Sequence, residues 1–297
     1  MEDQGKVWFI TGASSGFGKA LAEAALARGD RAVLAARRVE HLKALAAEHG
    51  ERAFPLQLDV TDPAGRARAI DEAIDRFGRI DVLANIAGRG SVGAVEEFTP
   101  EQLREQMDLN FFAPAELTRT VLPHMRAQGH GHVINLTSIG GLMAVAGFGA
   151  YCASKFALEA WSEALSYEVA SLGIRVTLVE PGNFRTEFAG DVNMRPAQQL
   201  EPYRSVIEPI QDGLYGRSGS QPGDPAKAAE LMLAVADSDS PPLRLLLGAD
   251  AYEYWDRTVK ARNADLNSWR ERGSNTAFAD TPIDSDGGSN GAGGVRD

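Results

Sequence analysis

Cysteine is nearly absent from this 297-residue chain, in which Cys152 is the single thiol. One cysteine cannot close an internal disulfide, and it cannot build a thiolate metal cluster. Because Cys152 follows Tyr151, it could be a thiol that alkylating agents reach in a functional site, or an inert filler of the core. Of the five histidines, His124, His130 and His132 occur close together but lack the spacing of a metal site, so we predict surface positions for these three and no bound metal.

Positive charge and long apolar runs are scarce as well. Lysine and arginine total 30 against 41 acidic residues, a net charge of −11, which argues against nucleic acid or an anionic membrane as the main partner. No apolar run reaches the roughly 18 residues that span a bilayer. The N-terminus, MEDQGKVWFI, has no basic region before a long apolar core. We therefore expect a cytoplasmic protein whose partners are small molecules or other proteins.

Short apolar runs alternate with helical patterns along the chain. This alternation predicts an α/β fold of the doubly wound, Rossmann type, in which helices flank a parallel sheet of seven strands. The predicted strands are 7–11, 32–36, 54–58, 80–84, 132–137, 174–179 and 243–247. A length of 297 residues suits a single domain, which we place at residues 1–279.

Three further segments carry predictions of their own. Residues 101–128 have the apolar spacing of one long helix. Residues 187–224 form a long connection, which we predict to be a substrate-loop insertion; its apolar residues could act as a lid over a ligand or merely roof the core. Residues 280–297, DTPIDSDGGSNGAGGVRD, are too polar and glycine-rich to pack, so we predict a disordered tail.

A glycine-rich turn, TGASSGFG, follows the first predicted strand at residues 11–18. Glycines let the backbone approach a pyrophosphate closely, and the N-terminus of the helix that follows offers free N–H groups to an anion. The spacing differs from the G-x-G-x-x-G of other dinucleotide-binding turns. The predicted cofactor contacts in this turn are Gly12, Ser14, Ser15, Gly16, Phe17 and Gly18.

The end of the second strand indicates which dinucleotide binds. An acidic residue there usually holds the ribose 2′-hydroxyl of NAD, whereas arginine accommodates the 2′-phosphate of NADP. Here Ala36, Arg37 and Arg38 occupy the place, which favours NADP(H), unless the arginines are merely solvated. After the third strand come Asp59 and Val60, of which Asp59 could hold the adenine amino group or cap the next helix.

A serine, a tyrosine and a lysine occur together in residues 135–159, NLTSIGGLMAVAGFGAYCASKFALE. Tyr151 and Lys155 are four apart on a helical pattern, so they share one face, although such a pair can also arise by chance on a solvated helix. A phenol needs its pKa lowered by about three units to exchange protons at neutral pH, and an ammonium about 4 Å away supplies that energy, roughly 4 kcal/mol. Ser138 ends an apolar strand, where its hydroxyl would face the ligand crevice.

Asn110 stands inside the predicted helix 101–128, between apolar and aromatic neighbours. An asparagine in a helix interior is disfavoured unless its amide has a partner. It could organise a buried water network, or it could satisfy a local polar group of the core.

Together these motifs resemble the short-chain dehydrogenase/reductase family over roughly residues 5–250. The resemblance implies a catalytic tetrad of Asn110, Ser138, Tyr151 and Lys155, in which Lys155 also holds the nicotinamide ribose and Asn110 anchors a water. It implies that Tyr151 and Lys155 contact the cofactor, as does the 11–18 turn. Further cofactor contacts implied by matching motifs are Asn85, Ala87 and Gly88, where Ile86 replaces an asparagine of the family pattern, and Pro181, Gly182 and Thr186.

The function implied by this resemblance is an NADP(H)-dependent oxidoreductase. Such an enzyme reduces a ketone or aldehyde, or oxidises the secondary alcohol, by hydride transfer with Tyr151 as general acid/base. The chain is similar to NADP-preferring members near the 17β-hydroxysteroid-dehydrogenase-like branch, and the family implies a homodimer or homotetramer through the helices at 101–128 and 151–172. The alternatives are an NAD-dependent alcohol or hydroxysteroid dehydrogenase, and a non-catalytic cofactor-sensing protein.

A small hydrophobic substrate is expected because apolar residues surround the motifs. Each of them could equally be ordinary core. They are Ile139, Met143, Phe148, Phe184 and Phe188.

Overall fold

Seven parallel strands form the sheet of this protein, seen in a computed structural model that describes residues 5–190 and 192–278. The strands are β1 (Val7–Thr11), β2 (Arg31–Ala36), β3 (Ala53–Gln57), β4 (Val82–Asn85), β5 (Gly131–Leu136), β6 (Ile174–Pro181) and β7 (Arg244–Leu247). Their order in the sheet is β3-β2-β1-β4-β5-β6-β7. The predicted seven-stranded parallel sheet is confirmed. The predicted disordered tail at 280–297 lies outside the described residues.

Helices cover both faces of the sheet, which explains why β1 is buried along its whole length. They are α1 (Gly16–Ala27), α2 (Glu40–His49), α3 (Pro63–Phe77), α4 (Pro100–Met107), α5 (Ala113–Gln128), α6 (Gly149–Val169), α7 (Arg204–Tyr215), α8 (Pro225–Asp237) and α9 (Ala249–Ser274). One core contains Leu21 of α1 and Met232 of α8. The other contains Ile70 of α3, Leu117 of α5 and Leu165 of α6. The predicted doubly wound arrangement is therefore present.

The strand order reverses between β1 and β4. From β1 the chain moves outward to β3 and then returns to the other side of β1, so that β1 and β4 are neighbours. In sheets of this kind ligands bind beyond the carboxyl ends of the strands, at the point where the order reverses. The predicted site residues follow these carboxyl ends.

The prediction of one continuous helix over 101–128 was wrong. A five-residue π-helical turn, Asp108–Phe112, separates α4 from α5. Pro114 has no N–H, so the carbonyl of Asn110 four residues earlier lacks its α-helical donor. The N–H of Ala113 instead bonds to the carbonyl of Asp108, five residues back. The helix is therefore widened at Asn110, the residue that carries a predicted catalytic role.

The connection between β6 and α8 contains a helix, α7, that the sequence pattern did not predict. Its first part pairs with the loop after β4, where the N–H of Met194 donates to the carbonyl of Gly90 at 2.8 Å. Further along, the N–H of Leu200 donates to the Glu97 carboxylate at 2.8 Å. These contacts place the segment as a cover over the carboxyl edge of the sheet.

The prediction that His132 lies on the surface was wrong, because β5 carries it into the interior with 4% of its surface exposed. Its Nε2 lies 2.9 Å from the Thr177 hydroxyl, which itself donates to the carbonyl of Pro242. Nε2 must then carry the ring proton and donate it to Thr177. Burial lowers the pKa of His132 to about 4, with Arg175 and Lys6 acting in the same direction.

Candidate active site

The glycine turn forms a cradle between β1 and α1. Gly12 and Gly16 have φ angles of +67° and +52°, a left-handed conformation that favours glycine. A Cβ on Gly18 would overlap the carbonyl of Gly12, so the first turn of α1 packs directly on the strand exit. Ser15 precedes the helix without a side-chain cap, and the first turn holds no acidic residue. The free N–H groups and the open backbone fit a pyrophosphate.

Thr11 joins this cradle to the turn after β4. Its hydroxyl oxygen accepts from the N–H of Ile86 at 2.9 Å and from the N–H of Ala87 at 3.1 Å. A Cβ on Gly12 would lie 3.0 Å from the backbone of Ala87, so the two turns touch. Thr11 was not among the predicted site residues, although its position at the head of the glycine motif was a usable signal.

The side chain of Asn85 is buried and bonds to polar groups of the protein interior. Its amide nitrogen donates to Asn135 Oδ1 at 2.8 Å and to the Thr118 hydroxyl at 3.1 Å. Asn135 in turn donates to the Ser162 hydroxyl at 2.8 Å. This buried chain of amides and hydroxyls ties β4 and β5 to α5 and α6. Ala87 and Gly88 follow Asn85 in the turn after β4.

Arg37 and Arg38 lie exposed directly after β2, at the place where a dinucleotide ribose would be read. The charge of Arg37 reaches Asp59, at the end of β3. Burial raises the pKa of Asp59, but hydrogen bonds from Thr61 and the charge of Arg37 outweigh it and leave that pKa below its ordinary value. The alternative that Asp59 caps α3 was wrong, because Asp62 accepts from the N–H of Ala64.

Val60 is buried next to Asp59. It lines a small cavity that it shares with Thr11, Asn85, Ala87 and Pro114. This cavity lies between the ends of β1 and β4 and the start of α5.

Ser138, Tyr151 and Lys155 converge at the carboxyl end of β5. Ser138 caps the short 3₁₀ turn Ile139–Gly141, and its Oγ accepts from the N–H of Gly140 at 3.0 Å. Tyr151 lies in the first turn of α6 and is 8% exposed. Lys155, one turn later, places its Nζ 5.9 Å from the centre of the Tyr151 ring and donates to the carbonyl of Leu136 at 2.8 Å.

Burial, more than the neighbouring ammonium, controls the Tyr151 phenol. It raises the pKa of Tyr151 above its ordinary value of 10.0, while a hydrogen bond from Ser138 acts in the opposite direction. Burial also lowers the pKa of Lys155 to about 8, with the carboxylate of Glu159 opposing it. The sequence predicted a lowered pKa for Tyr151. In the structure the pKa of Tyr151 is raised instead, because Lys155 is directed at the Leu136 carbonyl and both groups are desolvated.

Asn110 joins the same cluster from the π-turn. It is 1% exposed, its Oδ1 accepts from the N–H of Arg89 at 3.1 Å, and its Nδ2 donates to the Arg89 carbonyl and to the Ser154 hydroxyl, each at 3.0 Å. A Cβ on Gly88 would lie 3.1 Å from Asn110 Oδ1 and 3.6 Å from Lys155 Nζ. The structure thus brings all four predicted tetrad residues together. The side-chain amide of Asn110 bonds to local polar groups, while its backbone carbonyl lacks an α-helical donor.

The segment after β6 closes the cradle from the other side. Pro181 ends the strand, and a Cβ on Gly182 would lie 2.5 Å from the Asp250 carboxylate. Asp250 accepts from the N–H of Asn183 at 2.8 Å. A Cβ on Gly16 would lie 3.4 Å from Thr186, so Thr186 borders the glycine turn. Asp250 was missed because it comes from α9, 67 residues away, and no local pattern indicates it.

Aromatic rings flank the phenol. The centres of Phe188 and Phe148 lie 5.3 Å and 6.5 Å from that of Tyr151. Phe184 instead packs on Phe17 at 5.0 Å, beside the glycine turn. Met143 faces α9, with its sulfur 3.6 Å from the Thr258 hydroxyl. Of the predicted pocket residues, Phe148 and Phe188 therefore lie next to the Tyr151 phenol.

Cys152 is buried, and burial raises the pKa of its thiol. A protonated, enclosed thiol is a poor nucleophile, which favours the interpretation of a core filler.

A separate cleft of about 660 Å³ lies at the opposite, amino-terminal edge of the sheet. Several of the charges that line it are paired with one another, Lys6 and Arg28 with Asp237 and Arg79 with Asp81, while Arg175 donates to the carbonyl of Ser238. The predicted tetrad residues lie at the carboxyl edge of the sheet, so this cleft is separate from them. Among residues 5–190 and 192–278, no helix is long and apolar enough to cross a bilayer.

Residues 6–197 match the family model for short chain dehydrogenase. The chain is 40% identical over 267 residues to "Oxidoreductase BOA17" of Botryotinia fuckeliana (strain B05.10), covering 90% of this chain and 97% of the relative. It is 40% identical over 247 residues to a 3-ketodihydrosphingosine reductase of Bacteroides thetaiotaomicron, covering 82% and 88% of the two chains.

Solved structures give the same result. A short-chain dehydrogenase from Streptomyces avermitilis superposes with a TM-score of 0.87 at 43% identity. The match covers 93% of this chain and 100% of the Streptomyces chain. A short-chain dehydrogenase/reductase from Burkholderia phymatum in complex with NAD has a TM-score of 0.78 at 26% identity, with coverage of 90% and 96%. A short chain dehydrogenase from Burkholderia cenocepacia J2315 in complex with NADP has a TM-score of 0.69 at 27% identity, with coverage of 90% and 98%. Similar structures thus bind either dinucleotide.

Proposed function

Because the chain belongs to the short-chain dehydrogenase family, we propose that it catalyses hydride transfer between NADP(H) and a carbonyl carbon, with Tyr151 as general acid/base. The observation that carries the proposal is the convergence of Ser138, Tyr151 and Lys155 beside the glycine cradle. A nicotinamide dinucleotide bound in that cradle supplies the hydride, or accepts it when an alcohol is oxidised.

The protonation states favour the direction of reduction. A buried phenol with a raised pKa is fully protonated at neutral pH, so Tyr151 can donate its proton to a carbonyl oxygen that Ser138 orients. The ammonium of Lys155 then stabilises the phenolate that remains. Because the pKa of Lys155 is about 8, this support is present at neutral pH and declines in alkali.

The preference for NADP(H) is supported by the chain's own residues. Ala36 stands where a carboxylate would select NAD, and the exposed guanidiniums of Arg37 and Arg38 follow it. A 2′-phosphate would find two charge-assisted donors there.

A hydrophobic carbonyl substrate fits the aromatic surroundings of Tyr151. Phe148 and Phe188 offer apolar surface next to the phenol. The name of the Bacteroides relative, 3-ketodihydrosphingosine reductase, describes a ketone substrate. The narrower resemblance to the 17β-hydroxysteroid-dehydrogenase-like branch stays a prediction, as does assembly into a homodimer or homotetramer.

The proposal is tested by following NADPH consumption against a panel of hydrophobic ketones and aldehydes. Tyr151→Phe should lower turnover by about 10²–10⁴-fold, because it removes the proton donor, and leave NADPH binding unchanged. Tyr167→Phe is the matched control, since Tyr167 lies on the same helix and is exposed. Wild-type turnover in Tyr151→Phe would contradict the proposed role.

A further inference from the structure

A buried charge cluster lies one helical turn beyond Lys155, and the proposed reaction does not yet use it. Glu159 of α6 and Glu180 of β6 are 4% and 0% exposed. The Nε of Arg244, on β7, lies 3.3 Å from Glu159 Oε2 and 3.4 Å from Glu180 Oε1. The same guanidinium donates to Glu163 at 2.8 Å, toward the solvent.

This cluster cannot hold two buried anions. The two carboxylates repel each other, burial penalises each charge, and a single guanidinium is shared among three acids. Burial and the neighbouring Glu159 raise the pKa of Glu180. Burial also raises the pKa of Glu159, but Thr137, Arg244 and Glu180 act to lower it. One proton held between the two carboxyls relieves this repulsion, and the stronger burial of Glu180, 0% exposed against 4% for Glu159, favours its residence there.

Glu159 adjoins two catalytic groups. It follows Lys155 by four residues, so both side chains leave the same face of α6. Its negative charge opposes the loss of the Lys155 proton. It also supports the turn that presents Ser138, since a Cβ on Gly141 would lie 2.9 Å from Glu159 Cγ.

Other ionisable groups around Lys155 do not supply this charge. On α6 they are the neutral phenol of Tyr151 and Glu163, which lies two turns from Lys155 and pairs with Arg244. On the sheet they are Glu180 of β6 and Arg244 of β7. Arg89, after β4, pairs with Glu105, and Asp250 of α9 accepts from the N–H of Asn183. Glu159 is left as the carboxylate whose charge acts on the ammonium.

We propose that Glu159 is a positioning residue, whose ionised carboxylate keeps the buried Lys155 protonated while Glu180 holds the proton that the two acids share. The catalytic part of this proposal rests on the proposed function. The relation between the charges is a property of the protein alone, and it can be measured without substrate or cofactor.

Six lysines make a direct titration practical: Lys6, Lys19, Lys43, Lys155, Lys227 and Lys260. Protein labelled with ¹³C at lysine Cε gives one NMR signal for each, and the signal missing from Lys155→Arg identifies Lys155. In Glu159→Gln the titration midpoint of Lys155 should fall by about one pH unit, because a negative charge one helical turn away is gone. Glu159→Asp keeps the charge and should retain most of the wild-type midpoint.

Two further variants serve as controls. Glu163→Gln removes an acid that also pairs with Arg244 but lies two turns from Lys155, and Glu180→Gln replaces a protonated acid by a neutral amide. Both should leave the Lys155 midpoint in place. An unchanged midpoint in Glu159→Gln, or an equal shift in Glu180→Gln, overturns the proposed charge relation.

Kinetics test the catalytic part separately. The alkaline limb of kcat/KM should move to lower pH in Glu159→Gln by the same amount as the NMR midpoint. A shifted midpoint with an unmoved alkaline limb contradicts the role of Lys155 in turnover, and with it the positioning role of Glu159. Absence of turnover in the wild-type protein would contradict the proposed function and leave the NMR result readable.

Discussion

Among single residues, burial and nearby charged or polar groups determine the protonation states of Tyr151 and Lys155. Tyr151 stays neutral because its phenolate would be desolvated, and Lys155 stays charged to a pH of about 8. A protonated donor therefore lies beside a cation before any ligand enters. This arrangement suits proton delivery to a carbonyl oxygen at neutral pH.

Cofactor choice is also a property of single residues. Arg37→Ala should weaken NADPH binding by roughly 10–100-fold, the loss expected for a charge-assisted hydrogen bond to a phosphate, and leave NADH binding nearly unchanged. Titration of each cofactor against tryptophan fluorescence measures both affinities. Arg126→Ala, an exposed arginine of the last turn of α5, is the control. Tighter binding of NADH by the wild-type protein, or an undiminished NADPH affinity in Arg37→Ala, would refute the assignment.

At the scale of elements, the sequence predicted what depends on local pattern. β1 was predicted at its observed bounds, 7–11, since a short apolar run before the glycine-rich turn defines it. The π-turn was not predicted, because it depends on the missing N–H of Pro114 together with bonds from Asn110 to Arg89 and Ser154.

Site residues that act across the chain were missed for a similar reason. Thr11 stands at the head of the glycine motif, but the bonds that it accepts from Ile86 and Ala87 span 75 and 76 residues, so its role in joining the two turns is not visible in the local sequence. The proximity of Ser138, Tyr151 and Lys155 was predictable, because Ser138 follows a strand end and the other two share one helix face. Their protonation states were not, since burial is set by packing from Phe148, Phe188 and the segment above them.

The junction of β1 and α1 can be tested through its third glycine. Gly18→Ala should abolish tight NADPH binding, because the new Cβ would overlap the carbonyl of Gly12 and displace the first turn of α1. Gly213→Ala is the matched control, since Gly213 lies within α7 with no atom near its Cβ position. That substitution should raise the free energy of unfolding by up to about 1 kcal/mol. Unchanged NADPH affinity in Gly18→Ala would show that the turn is not the pyrophosphate cradle.

At the scale of the whole molecule, one parallel sheet collects distant segments at a single edge. The turns after β1, β4, β5 and β6 meet there, which is why the fold class predicted from alternating strands and helices also located the site. The substrate was not predictable in the same way. It depends on how the segment between β6 and α8 packs over Tyr151, a matter of tertiary contacts.

Global stability should depend on the buried His132. Its pKa is lowered from 6.5 to about 4, so between these pH values the unfolded chain binds a proton that the folded chain does not. Stability that is present above pH 6.5 is therefore lost as the pH falls, and from pH 7 to pH 5 the loss is about 2 kcal/mol. Urea unfolding of wild type and His132→Gln at both pH values measures it.

Comparing wild type with His132→Gln isolates the contribution of His132 to the pH dependence of stability. Glu159 and Glu180, with raised pKa values, change stability in the opposite direction, losing it as the pH rises, and they do so equally in both proteins. The wild type should lose about 2 kcal/mol more than His132→Gln between pH 7 and pH 5. Equal losses would mean that the imidazole accepts a proton in the folded state.

Deuterium transfer from the nicotinamide shows whether the protein delivers a hydride to carbon. NADPH carrying deuterium on one or the other face of nicotinamide C4 is incubated, in two parallel reactions, with the protein and the ketone or aldehyde that it consumes fastest, and the alcohol product is analysed by mass spectrometry. We expect one deuterium on the carbinol carbon with one of the two labelled cofactors only, and transfer nearly lost in Tyr151→Phe. An alcohol without deuterium in both reactions, or transfer at the wild-type rate in Tyr151→Phe, would contradict the proposed hydride transfer.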